Sequence, residues 1–185
     1  MMVHYKRRFE EVLDSAAPFL TQKAFCRSLK DHLERLTLRI HANYGICRFF
    51  RFYIQNVSGE TQDAQEMRRS VFNDCAWRAA EVIESFLDIY RLSASVCRSW
   101  ALVHNAVSCA ITLNLVGGMI GSARVEDLVH RLMAVLEREE KLSEWHDADT
   151  NRRHFGPYSR ALRALKETFF VGEQATRQFE WWEFQ

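Results

Sequence analysis

The chain has 185 residues and a mass of 21.8 kDa, with 48% apolar and 26% charged residues, which fits one domain able to bury about 70% of its unfolded surface. Two Pro and 7 Gly exclude collagenous, proline-rich disordered and turn-dense all-β chains. Lys and Arg number 25 against 24 Asp and Glu, a net charge of +1, which gives no support to a globally basic nucleic-acid binder.

In chain order, Val3 to Asp14 reads as a short amphipathic helix closed by Ser15-Ala16-Ala17-Pro18. From Thr21, the positions Phe25, Leu29, Leu33, Leu36, Ile40 and Tyr44 recur at steps of three and four, which is one face of a long helix. Lys30, Asp31, Glu34, Arg35 and Arg39 fall on the other faces. The stripe runs on through Cys47, Phe50 and Ile54, with Gly45 as a weak point or kink, and Asn56-Val57-Ser58-Gly59 ends it. Thr61 to Leu92 predicts a second long helix with the stripe Met67, Val71, Cys75, Ala79, Val82, Phe86 and Ile89. Its start signal is weak, because Thr61 lacks an acid three residues on. Ser93-Ala94-Ser95 breaks the pattern.

Arg98 to Val116 differs from both. The 25 residues from Ser99 to Ala123 hold no Asp, Glu, Lys or Arg. His104, Asn105, Thr112 and Asn114 interrupt the run, and Gly117-Gly118 stops it short of the about 20 apolar residues that a membrane span needs. The expectation is a central helix, about 98–116, buried on nearly every side, and no membrane segment. Ala123 to Lys141 is amphipathic again through Leu128, Leu132, Val135 and Leu136, with Ser122 as its N-cap. Glu144 to Phe155 is polar and irregular. Gly156-Pro157 starts a last helix with the stripe Tyr158, Leu162, Leu165 and Phe169. The fold class is therefore all-α, with about six helices, no internal repeat and no strand. Residues 1–171 form one helical domain, and 172–185 an aromatic-acidic tail.

Few motifs point to chemistry. Cys26, Cys47, Cys75, Cys97 and Cys109 include no CxxC pair. Five cysteines spread through apolar stretches read as reduced, buried thiols of an intracellular protein. The N-terminal residues 1–8 lack the apolar core of a signal peptide. Val116-Gly117-Gly118-Met119-Ile120-Gly121 has Val where a dinucleotide fingerprint needs its first glycine, and a helix precedes it where a strand is required. A glycine-rich helix end accounts for it better. His146, Asp147, Asp149 and His154 are metal-ligand types in an acidic connector without fixed geometry. Cys97 and His104 are two turns apart, about 10.5 Å along a helix, too far for a nucleophile and its base. No metal or catalytic residue is expected. Residues 1–60 hold ten bases against six acids, and residues 126–150 eight acids against three bases, so contact between these regions, within a chain or between two copies, is an expectation.

The tail interleaves Phe179, Trp181, Trp182 and Phe184 with Glu180 and Glu183. Acids among large aromatics are the composition of activation segments that dock in coactivator grooves. The same residues also suit a strip packed on the helical body, since four aromatics in an octet are costly to expose.

Cys97-Arg98-Ser99-Trp100-Ala101-Leu102-Val103-His104-Asn105-Ala106-Val107-Ser108-Cys109-Ala110 resembles a segment of the middle homology region of fungal binuclear zinc-cluster transcription factors. Three other segments fit in the same order. Leu36-Thr37-Leu38-Arg39-Ile40-His41-Ala42-Asn43-Tyr44 with Cys47-Arg48 is similar to the family's His-x-Asn-Tyr and Cys-Arg-Pro stretch, with Phe49 where the proline is usual. Cys75, Ala79-Ala80 and Ser85-Phe86-Leu87 follow, then Pro157-Tyr158-Ser159-Arg160-Ala161-Leu162-Arg163-Ala164-Leu165. The resemblance spans roughly residues 3–170. The family's six closely spaced cysteines, which hold two zinc ions and bind DNA, have no counterpart here.

The resemblance implies the C-terminal part of such a regulator: a fragment, a truncated product or a stand-alone paralogue. It implies a nuclear, non-enzymatic regulatory domain that acts through protein contacts, as a homodimer or with coregulators, and answers to a small-molecule effector. No cofactor is expected in this chain, zinc belonging to the absent cluster, and neither direct nucleic-acid binding nor membrane association. Trp100, His104, Asn105 and Ser108 are the expected effector pocket or buried polar cluster, and Phe179, Trp181, Trp182 and Phe184 the expected interaction tail. The alternative is a stand-alone helical dimerisation module without DNA binding.

Overall fold

The computed structural model describes residues 7–8, 11–56, 62–117, 123–146 and 158–168. These are helical throughout, apart from short turns, with no strand among them. The long helices are α1 (Leu29–Asn56), α2 (Gln62–Leu92), α3 (Trp100–Gly117) and α4 (Ala123–His146). A further helix, α5, covers residues 158–168. Short turns at Pro18–Thr21 and Lys23–Phe25 precede α1, and a 3-10 turn at Val96–Arg98 joins α2 to α3.

Local chemistry decides where α1 begins. The Ser28 hydroxyl accepts from the Asp31 backbone N–H at 3.1 Å, while the Asp31 carboxylate accepts from the backbone N–H groups of Arg27 (2.8 Å) and Ser28 (3.1 Å). This reciprocal cap satisfies donors that the first turn leaves orphaned. Hydrogen bonding to its carboxylate, from the Arg27 backbone first and then the Ser28 side chain, lowers the Asp31 pKa. The helix therefore starts at Leu29, later than the periodicity from Thr21 predicts. Phe25 and Leu29, the first two members of the predicted stripe, are 51% and 52% exposed. Gly45 neither breaks nor ends the helix, which runs on to Asn56.

The apolar stripes meet in one core. Leu36, Ile40, Cys47 and Phe50 of α1 pack with Val71, Cys75, Ala79, Val82, Phe86 and Ile89 of α2. Leu102, Val103, Ala106, Cys109, Ala110 and Leu113 of α3 join them, with Leu128, Leu132 and Leu136 of α4 and Leu162 and Leu165 of α5. Met67, predicted in the α2 stripe, is 47% exposed. The predicted Ser122 cap, the Gly156-Pro157 start and Phe169 lie outside the described residues.

Polar rungs fix how α1 and α2 face each other. Arg39 pairs with buried Glu81, Arg78 Nη1 donates to Asn43 Oδ1 at 3.1 Å, and Cys47 Sγ donates to the Cys75 carbonyl at 3.5 Å. Partners that rise along α1 fall along α2, so the two helices are antiparallel. The contact of Tyr44 with His104, and of the Cys47 and Cys109 thiols, sets α1 and α3 parallel. α5 is tied at both ends: Tyr158 donates to the Cys97 carbonyl at 3.3 Å, and Asn114 Nδ2 donates to the Thr168 carbonyl at 2.9 Å. Lys166 reaches Glu137 of α4 at 2.7 Å. No described helix is long and apolar enough to cross a membrane.

Candidate functional site: the seam between α1 and α3

α3 is buried on most of its circumference, as its uncharged run predicts, but not at its first turns. Trp100 is 52% exposed, and Ala101 and His104 are exposed as well. These positions share one side of the helix, because residues one, three and four apart cluster on a 3.6-residue turn. Trp100 and His104 therefore do not sit inside the core, as two polar-tipped rings of a buried helix would. They form the rim of a surface cluster. Their ring centroids are 5.9 Å apart with an interplanar angle of 45°.

α1 completes this cluster. Tyr44 stands edge-on to His104, with centroids 6.1 Å apart and planes at 79°, and its hydroxyl lies 3.2 Å from His104 Nε2. Edge-to-face ring pairs of this kind contribute about 0.5–1.5 kcal/mol beyond the area they cover. One turn away, Asn105 Nδ2 lies 3.2 Å from His41 Nδ1. Asn105 is buried and His41 exposed, so the amide bridges the core and the surface. Ser108 is half-buried, and its carbonyl accepts from Thr112 Oγ1 at 2.8 Å. Of the four residues picked from sequence, Trp100 and His104 thus stand together at the surface, Asn105 lies beneath them in the seam, and Ser108 continues the strip one turn on. The tail residues Phe179, Trp181, Trp182 and Phe184 lie outside the described residues, as do Asp147, Asp149 and His154. Among the described residues no group of three or more His, Cys, Asp or Glu is arranged to hold a metal ion.

Two further clusters were not singled out from sequence. The first centres on Glu139 of α4, which is 4% exposed. It accepts from the Tyr90 hydroxyl at 2.9 Å and pairs with Arg98 Nε at 3.5 Å. Burial, then the Glu139 carboxylate, pushes the neighbouring Cys97 thiol up to about 12. The same two causes push the Tyr158 phenol up to about 12. The signal for Glu139 was present: it falls where the stripe Leu128, Leu132, Leu136 next turns inward, although the surrounding run Glu137-Arg138-Glu139-Glu140 reads as solvated.

The second cluster joins Cys47, Cys75 and Cys109, one from each of α1, α2 and α3, all within the core. The hydrogen bond that the Cys47 thiol makes to Cys109, and burial, hold that thiol well above its ordinary range. A thiol kept protonated and shielded is inert as a nucleophile. Four of the five cysteines are buried and Cys26 is half-buried, and none is in a disulfide.

Comparison with protein families, with curated proteins and with solved structures gives no match.

Proposed function

We propose that this chain is a non-enzymatic regulatory domain that controls transcription in the nucleus through protein contacts. In this reading it corresponds to part of the middle homology region of zinc-cluster transcription factors. One observation carries the reading. The four segments that resemble the family, far apart in sequence, are brought into mutual contact. His41 and Tyr44 of the first segment meet Asn105 and His104 of the second. Cys47 meets the Cys75 carbonyl of the third, and Tyr158 of the fourth meets the Cys97 carbonyl at the start of the second.

The chain takes no cofactor and reads no DNA itself in this account. The working part is the aromatic-acidic tail, which the helical body masks. The test joins the full chain to an unrelated DNA-binding domain and measures reporter transcription with and without residues 172–185. The account predicts that removing the tail changes output at least several-fold. Unchanged output would sink it.

A further inference from the structure

Arg35 of α1 is 8% exposed, and among the described residues nothing accepts a hydrogen bond from its buried Nε. Asn43 faces Arg78 and Arg39 faces Glu81. Continuing that antiparallel register by one turn sets Arg35 level with Glu84 and Ser85 of α2. The carboxylates of this neighbourhood all have other partners. Arg39 holds Glu81, Arg124 holds Glu84 at 2.6 Å, and Arg91 holds Asp88 at 3.2 Å. Along α1, Lys30 reaches Glu34 at 3.6 Å, and the Asp31 carboxylate caps the helix. Four arginines thus meet three carboxylates on this side of the α1–α2 pair, and Arg35 is the one left over.

Such a residue is costly. Buried charges are ordinarily paired. A lysine could escape by losing its proton, but a guanidinium stays charged. An arriving anion would remove the penalty of an uncompensated interior charge. The residues on either side give it access. Half-buried His32 and exposed Arg39 share the face of Arg35, three residues before it and four after, so Arg35 lies beneath a rim and not at the centre of the core. Burial first, and then the Arg35 charge, lower the Arg39 pKa, so the two guanidinium groups act on each other. The free Nε–H of Arg35, with the adjacent Nη–H, is the planar fork that carboxylates and phosphates accept side-on.

We infer that Arg35 is the floor of a binding site for an oxyanion, the carboxylate or phosphate group of a small molecule, with Arg39 at its rim. The Arg35 fork takes two oxygens of the ligand, and Arg39 offers a second positive charge beside it. The site is independent of the transcriptional reading, and its test needs no reporter.

Inorganic phosphate and, separately, acetate are titrated into the full chain at an ionic strength held constant with chloride, and thermal unfolding is followed. A specifically bound anion raises the melting temperature by mass action, with a half-saturation point. Exclusion of phosphate from the protein surface gives a rise without one. A half-saturation point is expected with at least one of the two anions, and the anion that gives it identifies the group the site takes. Arg35→Met keeps the apolar bulk and removes the charge. It should melt no lower than the parent in chloride alone and should lose the saturating response. Arg35→Lys keeps the charge and loses the fork, and should raise the half-saturating concentration about tenfold or more. Arg163→Met, at a side chain 73% exposed, should respond as the parent does. No half-saturation with either anion overturns the inference. So does a parent-like response in Arg35→Met or Arg35→Lys, or an equal loss in the Arg163 control. An Arg35→Met chain that melts lower in chloride would show the guanidinium already compensated, and overturns it too.

Discussion

Glu139 gathers polar groups from several parts of the chain. It takes a hydrogen bond from Tyr90 of α2 and an ion pair from Arg98 in the turn before α3, and its charge acts on Cys97 and Tyr158. A carboxylate so buried is tolerated because it is bonded and paired. The fold favours the neutral forms of its neighbours, and that gives a pH dependence with a definite sign. Tyr158 rises from 10.0 to about 12 and Cys97 from 9.0 to about 12. Both groups are protonated in folded and unfolded chains below pH 9. Above their unfolded values, the unfolded chain loses protons that the folded chain retains, so stability falls as pH rises from about 9 to 12. Tyr158→Phe removes one of these titrations and one hydrogen bond. Urea unfolding should show a loss of about 0.5–1.5 kcal/mol near pH 8 and a shallower alkaline decline than the parent. An identical slope from pH 10 to 12 would contradict the assignment. A second test at this scale concerns the cap of α1. Ser28→Ala should cost about 1 kcal/mol, lowering the melting temperature by about 2–4 °C for a chain of this length.

At the scale of elements, Gly45 lies in the middle of α1, exposed, with open space around an added Cβ. Glycine in a helix interior loses more backbone freedom on folding than alanine. Gly45→Ala should therefore stabilise the chain by about 0.5–1 kcal/mol, read as a shift in denaturant midpoint at constant slope. A destabilised variant would show that this position requires a backbone conformation other than a regular helix. The helices themselves were legible from sequence where a full apolar stripe exists, as in Val71 to Ile89 of α2 or Leu128 to Leu136 of α4. The beginning of α1 was not. Phe25 and Leu29 continue the period, but the Ser28 and Asp31 side chains set the boundary by bonding the backbone. The α3 surface was misread for another reason. An uncharged run signals low polarity, and Trp100, Ala101 and His104 satisfy it while standing at the surface. Tyr44 with His104, and His41 with Asn105, could not be paired from sequence. Their meeting depends on the register between α1 and α3, which the local period does not contain.

For the whole molecule, the all-α body is a frame that brings distant sequence segments to one surface. The core stripes of α1, α2 and α3 set the frame, α4 covers it, and α5 ends beside the exposed strip of α3. Function, in this account, belongs to that surface and the segment that follows α5. The most direct measurement is one reporter experiment. The full chain, fused to an unrelated DNA-binding domain, is compared with the variant in which Phe179, Trp181, Trp182 and Phe184 are all changed to Ala. Protein levels are matched by immunoblot. The account predicts that loss of the four aromatics changes transcription several-fold. Unchanged transcription would contradict it.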